Sequence, residues 1–247
     1  MTYEGIDTAA KISAEQAKIL RENGISFVCR YLVPNSGSTA WKALTAEEAK
    51  GLIDAGMAIL PCWETTANRM KGGHDAGKAD GAAAKALAEE MGIPAGTVIY
   101  FAADYAVPDS DFAKIYAYLY AATVAANPYR VGLYGSQNVV DAMDVRKACE
   151  FFWQCVGGSK KFLPCANVIQ YQSQDGTDAK ALKAKVGFAV DLDRAETLDG
   201  MWQPENPDSE EETAMKWAKE NGIVTDDMRD VSQTVIMIWR YHKLYGD

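Results

Sequence analysis

The chain has 247 residues, 48% hydrophobic and 24% charged, enough for one large domain with a short addition. Its formal net charge of −9 would repel nucleic-acid phosphates and anionic membrane surfaces, so we expect no nucleic-acid partner. No stretch approaches the roughly 20 apolar residues of a transmembrane span. No signal peptide is visible at the N-terminus.

Eight short apolar segments, rich in β-branched and aromatic residues, recur along the chain. Their composition is typical of strands that are buried on both faces. They cover residues 3–7, 25–32, 57–64, 97–104, 130–136, 151–156, 167–173 and 186–193.

Helical patterns separate the first six of these segments. The first pattern begins with Ser13 as a cap, and the second has Thr45 and Glu48 at the spacing of a capping box. The alternation of strands and helices predicts a parallel sheet with right-handed crossovers. The five patterns cover residues 13–24, 45–56, 74–92, 109–127 and 136–150.

Eight such strands most economically close into a TIM-type (β/α) barrel, an α/β fold. An open sheet of that width would be expected to carry a nucleotide-binding glycine loop, and the sequence shows none. The connections after the sixth strand, 157–166 and 174–185, are short, and the second has room for two helical turns. We therefore predict an irregular barrel with about five β/α units followed by three strands with short connections.

The pattern changes after the eighth strand. We place the barrel at 1–200 and a linker, rich in proline and acidic residues, at 201–212. Residues 213–247 are predicted to form a small helical module that includes a helix over 230–246.

Four carboxylates are placed at the ends of predicted strands. The carboxyl ends of barrel strands are where chemistry gathers, and strand alternation points these side chains inward. Each could instead cap the following helix, and beside the last of them a surface ion pair between Asp193 and Arg194 is an alternative. The four are Asp7, Glu64, Asp104 and Asp191.

Converging carboxylates repel one another, which raises the pKa of at least one and keeps it protonated near neutrality. A proton donor beside an ionised carboxylate is the requirement of glycosidic bond hydrolysis. Aromatic rings and amides near the same strand ends could bind sugar rings and hydroxyls, although such aromatics are often core residues. These candidates are Tyr31, Trp63, Tyr105, Tyr134 and Gln170.

Arg30 either pairs with one of the acids and lowers its pKa or points outward. Five cysteines lack CxxC spacing, and we interpret them as buried thiols. His74 and His242 have no ligand spacing, so we expect no cofactor and no metal centre. Three or four converging acids could still hold Mg²⁺ or Ca²⁺.

Five motifs, in this order, carry a resemblance: GIDTA, VIYFAADY, VGLYGS, VIQYQS and FAVDLDRA. Over residues 3 to 198 the chain resembles the bacterial glycoside-hydrolase-like TIM-barrel domains, formerly a domain of unknown function, that are related to the family 25 lysozymes. The resemblance implies a lysozyme or endolysin type of hydrolase acting on bacterial peptidoglycan. The expected location is the bacterial cell wall, reached by secretion or by phage release.

Within that resemblance, Asp7, Asp104 and Asp191 match acids of the lysozymes. The Glu of their Asp-x-Glu pair is replaced by Ala106. Glu64 is the best substitute as proton donor, with Asp104 as stabiliser or nucleophile. An acetamido group of the substrate could also replace the protein nucleophile. The alternative is a non-catalytic barrel that binds cell-wall carbohydrate and has lost the usual Glu.

The C-terminal segment AMKWAKENGIVTDD and the apolar residues after it are similar to a single degenerate copy of the S-layer-homology type of wall-binding motif. Generic pairing of amphipathic helices would explain the same pattern. The sequence leaves the oligomeric state open.

Overall fold

The computed structural model describes four parts of the chain: residues 2–157, 161–204, 210–223 and 238. The chain divides into two compact units, Met1–Pro204 and Glu205–Asp247. Among the described helices, none has the length and apolar character needed to cross a bilayer.

The first unit is a closed eight-stranded barrel in which the strands follow one another in chain order. The predicted TIM-type α/β barrel is therefore confirmed. Its strands are β1 Tyr3–Asp7, β2 Ile25–Tyr31, β3 Ala58–Trp63, β4 Val98–Ala103, β5 Arg130–Gly135, β6 Phe151–Gln154, β7 Val168–Gln172 and β8 Asp191–Ala195.

Helices follow each of the first five strands, as the sequence predicted. Ser13 caps the first helix, and its side chain accepts a hydrogen bond from the Gln16 backbone N–H. The described residues between β6 and β7 contain no helix, whereas a ten-residue helix lies between β7 and β8. The helices are α1 Ala14–Glu22, α2 Ala46–Asp54, α3 Gly73–Glu90, α4 Phe112–Ala126, α5 Gln137–Val145, α6 Thr177–Val186 and, in the second unit, α7 Glu210–Glu220.

Strand β8 runs antiparallel to both of its neighbours, β1 and β7, so the expectation of eight parallel strands was wrong for this strand. The reason lies in α6, which does not return the chain to the far end of the barrel. Its last residue, Val186, accepts a hydrogen bond from the Gln16 side chain near the start of α1. The chain therefore enters β8 from the mouth, the end of the barrel at which β1 to β7 finish.

The lower half of the barrel axis is filled by aromatic and aliphatic side chains. Two glycines make room for this packing. A Cβ on Gly5 would lie 2.3 Å from the Phe27 ring, and one on Gly132 would lie 2.7 Å from the Tyr100 ring. The Phe27 and Tyr100 rings therefore occupy the space on the axis that side chains at positions 5 and 132 would otherwise fill.

Arg30 is fully buried and points away from the barrel axis. Its Nε lies 2.7 Å from Glu48 Oε1, and Nη2 lies 3.1 Å from Oε2. Nη1 donates to the Thr8 carbonyl. Thr45 caps α2 as expected, but the Glu48 carboxylate is used for Arg30 and for the Ile12 N–H. Of the two alternatives for Arg30, the outward orientation is therefore correct. Its partners are Glu48 and the Thr8 carbonyl, not an acid at the mouth, and it lies out of reach of a substrate.

The first unit extends beyond residue 200, where we placed the start of a linker. Trp202 pairs with Ile59 of β3 through two backbone hydrogen bonds of 2.7 and 2.8 Å. Met201 packs in the core of the barrel. In the second unit, α7 begins within the expected linker, and the helix predicted over 230–246 lies outside the described residues except for position 238.

Removing the Glu48 carboxylate should destabilise the barrel strongly. Glu48→Ala leaves the Arg30 guanidinium buried without its counter-charge, and we expect a loss of about 3 kcal/mol in the free energy of unfolding. Urea denaturation would measure it. Asp54→Ala, which breaks the exposed Lys50–Asp54 pair on the same helix, should cost about 0.5 kcal/mol or less. Equal losses would contradict this account.

Candidate functional site

Three side chains from three strands meet at the mouth of the barrel. Asp7, at the end of β1, lies opposite Asp191, at the start of β8, in the antiparallel register. The Gln170 amide of β7 bridges them, with Nε2 2.7 Å from one Asp7 oxygen and 3.1 Å from one Asp191 oxygen. The reversed direction of β8 therefore puts Asp191 at the predicted end of the barrel, by a route that we did not predict.

A third carboxyl group of this cluster, Asp193, lies one layer deeper and was missed as a site residue. It is fully buried and accepts a hydrogen bond from Trp153 Nε1 at 2.8 Å. The suggested surface pair with Arg194 is wrong, since that guanidinium points outside the barrel and binds Glu4 at 2.8 Å. The alternation from Asp191 to Asp193 would have revealed it, had the start of β8 been known.

Burial and mutual repulsion keep protons on these acids. Burial, reinforced by the charge of Asp191, raises the pKa of Asp7 to about 7. Burial and the neighbouring Asp7 charge raise the pKa of Asp193 well above its usual range, and its O–H donates to Asp7. Burial also raises the pKa of Asp191, against the opposing effect of the Gln174 N–H. The cluster therefore retains at least one proton at neutral pH.

Asp104 and Glu64 stand at the ends of neighbouring strands in different surroundings. Asp104 is exposed and does not cap a helix, because α4 begins at Phe112 after a 3₁₀ turn. Its charge acts on Asp7 and Asp191, so it faces the same mouth. Glu64 is mostly buried, and its Oε2 accepts a hydrogen bond at 3.1 Å from Lys42, a partner that the sequence did not indicate.

Tyr31 and Tyr134 lie among the acids as expected. The Tyr134 hydroxyl is 3.3 Å from Gln170 Oε1, and its ring packs edge-on against Trp153. The Lys42 ammonium lies 4.1 Å from the centre of the Tyr31 ring. Burial raises the pKa of both phenols far above the usual range, so both remain neutral hydroxyl groups.

Two predicted sugar-binding aromatics lie in the layer between the sheet and the helices instead. Trp63 is only 3% exposed and packs against Phe101 and Met70 on the outer side of β3, so it cannot reach a substrate. The inward orientation of its neighbour Glu64 requires this, because successive side chains of a strand point to opposite faces. Tyr105 packs against the same cluster, and its hydroxyl donates to Asp111.

A cleft of about 490 Å³ opens beside Asp7 and Asp191. Trp41, in the connection between β2 and α2, lines this cleft and is 65% exposed. Trp41 belongs to no strand, so the pattern of strand ends did not mark it as a site residue. The other lining residues are Thr8, Ala9, Ala10, Tyr31, Gln174, Ala189 and Val190.

The donor set at the mouth does not resemble a metal centre. Within the described residues, no group of three or more His, Cys, Asp or Glu side chains is arranged to hold a metal ion. The five cysteines are free thiols, two of them buried and three partly buried. His74 lies on the surface of α3 beside Asp75.

The family model for the Rv2525c-like, glycoside hydrolase-like domain matches residues 18–234. The chain belongs to this family. Among relatives, YbfG of Bacillus subtilis (strain 168) is 35% identical in an alignment of 158 residues that covers 56% of this chain and 21% of YbfG. FadG of the same organism is 29% identical in an alignment of 140 residues that covers 54% of this chain and 24% of FadG. The chain thus spans about a quarter or less of these curated relatives.

Solved structures share the barrel of this Rv2525c-like domain. The Tat-secreted Rv2525c of Mycobacterium tuberculosis, in complex with L-tartrate, has a TM-score of 0.68 at 22% identity, with 81% of this chain and 98% of that one covered. The catalytic domain of endolysin ply40 from bacteriophage P40 of Listeria monocytogenes has a TM-score of 0.52 at 13% identity, with 81% of this chain and 98% of that one covered. The autolysin LytC of Streptococcus pneumoniae, in complex with a synthetic peptidoglycan ligand, has a TM-score of 0.50 at 14% identity, with 78% of this chain and 46% of that one covered. The barrel fold is thus shared with an endolysin catalytic domain and an autolysin, and the family match confirms the resemblance to glycoside-hydrolase-like barrels.

Asp7→Asn should become progressively more stabilising as the pH rises. Because the folded pKa of Asp7 lies above its unfolded value of 3.8, its contribution to stability is fully present below about pH 4 and is lost as the pH rises to about 7. The asparagine cannot ionise and avoids this loss. We expect the difference in unfolding free energy between variant and wild type to move in favour of the variant by on the order of a few kcal/mol between pH 4 and 7.

Chemical denaturation at fixed ionic strength, at several pH values from 4 to 8, would measure this difference. Asp54→Asn, at an exposed position of α2, is the matched control and should give a nearly constant difference above pH 5. A pH-independent difference for Asp7→Asn would show that Asp7 ionises normally in the folded protein.

Proposed function

We propose that this glycoside hydrolase-like barrel cleaves glycosidic bonds in bacterial peptidoglycan, as a hydrolase of the lysozyme or endolysin type. The observation that carries the proposal is the convergence of Asp7 and Asp191 beside an open cleft, where burial and the charge of Asp191 raise the pKa of Asp7 to about 7. Acid-assisted glycoside hydrolysis requires a protonated carboxyl group near an ionised carboxylate. The shared fold of LytC, described with a peptidoglycan ligand, supports the choice of polymer.

Asp7 is the proton donor in this proposal. It protonates the glycosidic oxygen, the bond from that oxygen to the anomeric carbon breaks, and the leaving sugar departs with a free hydroxyl. Asp104, exposed at the same mouth, stabilises the positive anomeric carbon and takes a proton from the water that attacks it. Asp191, held by Gln170 and the Gln174 N–H, keeps the pKa of Asp7 high through its charge.

In this proposal Glu64 is not the proton donor that the resemblance suggested. Its carboxylate is in an ion pair with Lys42, and both side chains are nearly buried. Because the Glu64 carboxylate is already engaged by the Lys42 ammonium, we assign the donor role to Asp7. Glu64 instead holds Lys42 and, through its ammonium, the Tyr31 ring beside the cleft.

Neutral polar groups complete the sugar-binding surface. Tyr31 and Tyr134 keep their protons and can donate hydrogen bonds to sugar oxygens. An acetamido group next to the anomeric carbon could replace Asp104 as the nucleophile, in which case Asp7 alone would serve as the protein acid.

The cell wall is the proposed site of action. Rv2525c is Tat-secreted and LytC is an autolysin, and both share this barrel. The peptidoglycan partner and the wall location follow from the same proposal, with secretion and phage release as the two routes to the wall.

A non-catalytic wall-binding barrel is the second candidate. One observation favours it: Ala106 stands where the lysozymes carry the Glu of their Asp-x-Glu pair. In that case the acids at the mouth would bind polysaccharide through hydrogen bonds, without turnover.

Incubation with purified peptidoglycan, followed by assay of new reducing ends, separates the candidates. We expect wild-type activity to fall as the pH rises through about 7, because Asp7 loses its proton. Asp7→Asn should lower the rate by about 100-fold or more, while binding to peptidoglycan is retained. Glu64→Gln should cost less than about tenfold, and Asp54→Asn should have no effect.

Three outcomes would change the assignment. A larger loss for Glu64→Gln than for Asp7→Asn would return the donor role to Glu64. Release of stem peptides without reducing ends would exclude glycosidic cleavage. Binding to peptidoglycan without any release would favour the non-catalytic barrel.

A further inference from the structure

Trp41 is a large apolar side chain in an unusual place. It is 65% exposed, while it also lines the cleft beside Asp7 and Asp191. The other strongly exposed large apolar side chains of the barrel unit lie on helices and line no part of this cleft: Tyr116, Tyr120, Val124 and Val145. A single exposed apolar residue needs no explanation by itself, so the position of Trp41 is what matters.

The segment that carries Trp41 is fixed on both sides. Before it, the Thr39 hydroxyl donates to the Pro34 carbonyl at 2.7 Å. After it, Lys42 is 8% exposed and holds Glu64 and the Tyr31 ring. The Leu44 N–H then donates to the Tyr31 carbonyl at 2.8 Å. The indole therefore projects from an anchored backbone, and its exposure is not the result of a free loop.

The charge of the cleft limits what can lie against this indole. Its lining residues, all within the described part of the chain, include the Asp191 carboxylate and the Asp7 carboxyl group and no Lys, Arg or His. A ring that carries a free carboxylate would be repelled there by Asp191, whereas an uncharged pyranose can place its apolar face on the indole.

We infer that Trp41 is the platform on which an uncharged sugar ring of the glycan strand stacks, and that the cleft disfavours a ring that carries a free carboxylate. The inference rests on the proposed function for the identity of the polymer.

Tryptophan fluorescence of the full chain tests this inference with two soluble probes of equal length. Chitotetraose is built of uncharged N-acetylglucosamine, and a hyaluronan tetrasaccharide carries glucuronate carboxylates. The spectrum of wild type minus that of Trp41→Phe isolates the Trp41 signal from the other tryptophans. We expect chitotetraose to shift this signal to shorter wavelength and to protect it from acrylamide, and hyaluronan to do so at least tenfold more weakly.

Calorimetric titration with chitotetraose gives the matched comparison. Trp41→Ala should weaken binding at least tenfold, and Trp41→Phe, which keeps a flat ring, by less than about threefold. Tyr120→Ala removes an equally exposed aromatic from α4, away from the cleft, and should leave binding unchanged. Binding that Trp41→Ala does not weaken, or equal binding of hyaluronan, would overturn the inference.

The two proposals fail separately. Protection of Trp41 without release of reducing ends from peptidoglycan would reject the hydrolase and keep the platform. Release of reducing ends with an unchanged half-saturation for Trp41→Ala would keep the hydrolase and reject the platform. If the protein neither binds chitotetraose nor acts on peptidoglycan, both are wrong.

Discussion

The site depends on the burial of Asp7 and Asp193, two carboxyl groups that contact each other inside one barrel. Within the described residues, neither forms an ion pair, and their partners are the neutral donors Gln170, Trp153 and Cys29. In a low-dielectric interior, two such groups cannot both ionise at moderate cost, so a proton is retained between them. Asp193 keeps its proton, while burial and the charge of Asp191 raise the pKa of Asp7 to about 7, so the titration of Asp7 near neutrality depends on the surrounding acids and on its burial.

The barrel accommodates these buried carboxyl groups by dividing its axis into two layers. Below, Phe27 and Tyr100 occupy space left by glycines and form a dense apolar core. Above, Asp7, Asp191 and Gln170 form a hydrogen-bonded layer that opens to the cleft. A buried carboxyl with a raised pKa opposes folding at neutral pH, and the apolar layer below offsets that cost. The lower part of the strands thus stabilises the barrel, and the upper part carries the candidate site.

Much of the fold was readable because buried parallel strands and amphipathic helices have distinct patterns. Strand β8 was misplaced because its sequence, DLDRA, looks polar: Asp191 and Asp193 face a polar axis and Arg194 faces outward, so the apolar run before it looked like the strand. Trp63 was misassigned although strand alternation already placed it behind Glu64. Strand alternation likewise points Arg30 outward, because its neighbours along β2 point inward. Trp41 had no signal at all, since exposure in a loop is decided by tertiary structure.

The position of Ala106 raises the question of how a barrel without the Asp-x-Glu acid could keep a proton donor. A glutamic acid in a loop after β4 would depend on a local apolar pocket for its proton. Here burial and the charge of Asp191, which β8 places opposite Asp7, raise the pKa of Asp7. Because the proposal does not need Glu64 as the proton donor, Glu64 can instead hold Lys42 and, through the Lys42 ammonium, the Tyr31 ring. The proposed hydrolysis therefore does not require the carboxylate that Ala106 replaces, because what it requires is a carboxyl group that keeps its proton, whichever strand supplies it.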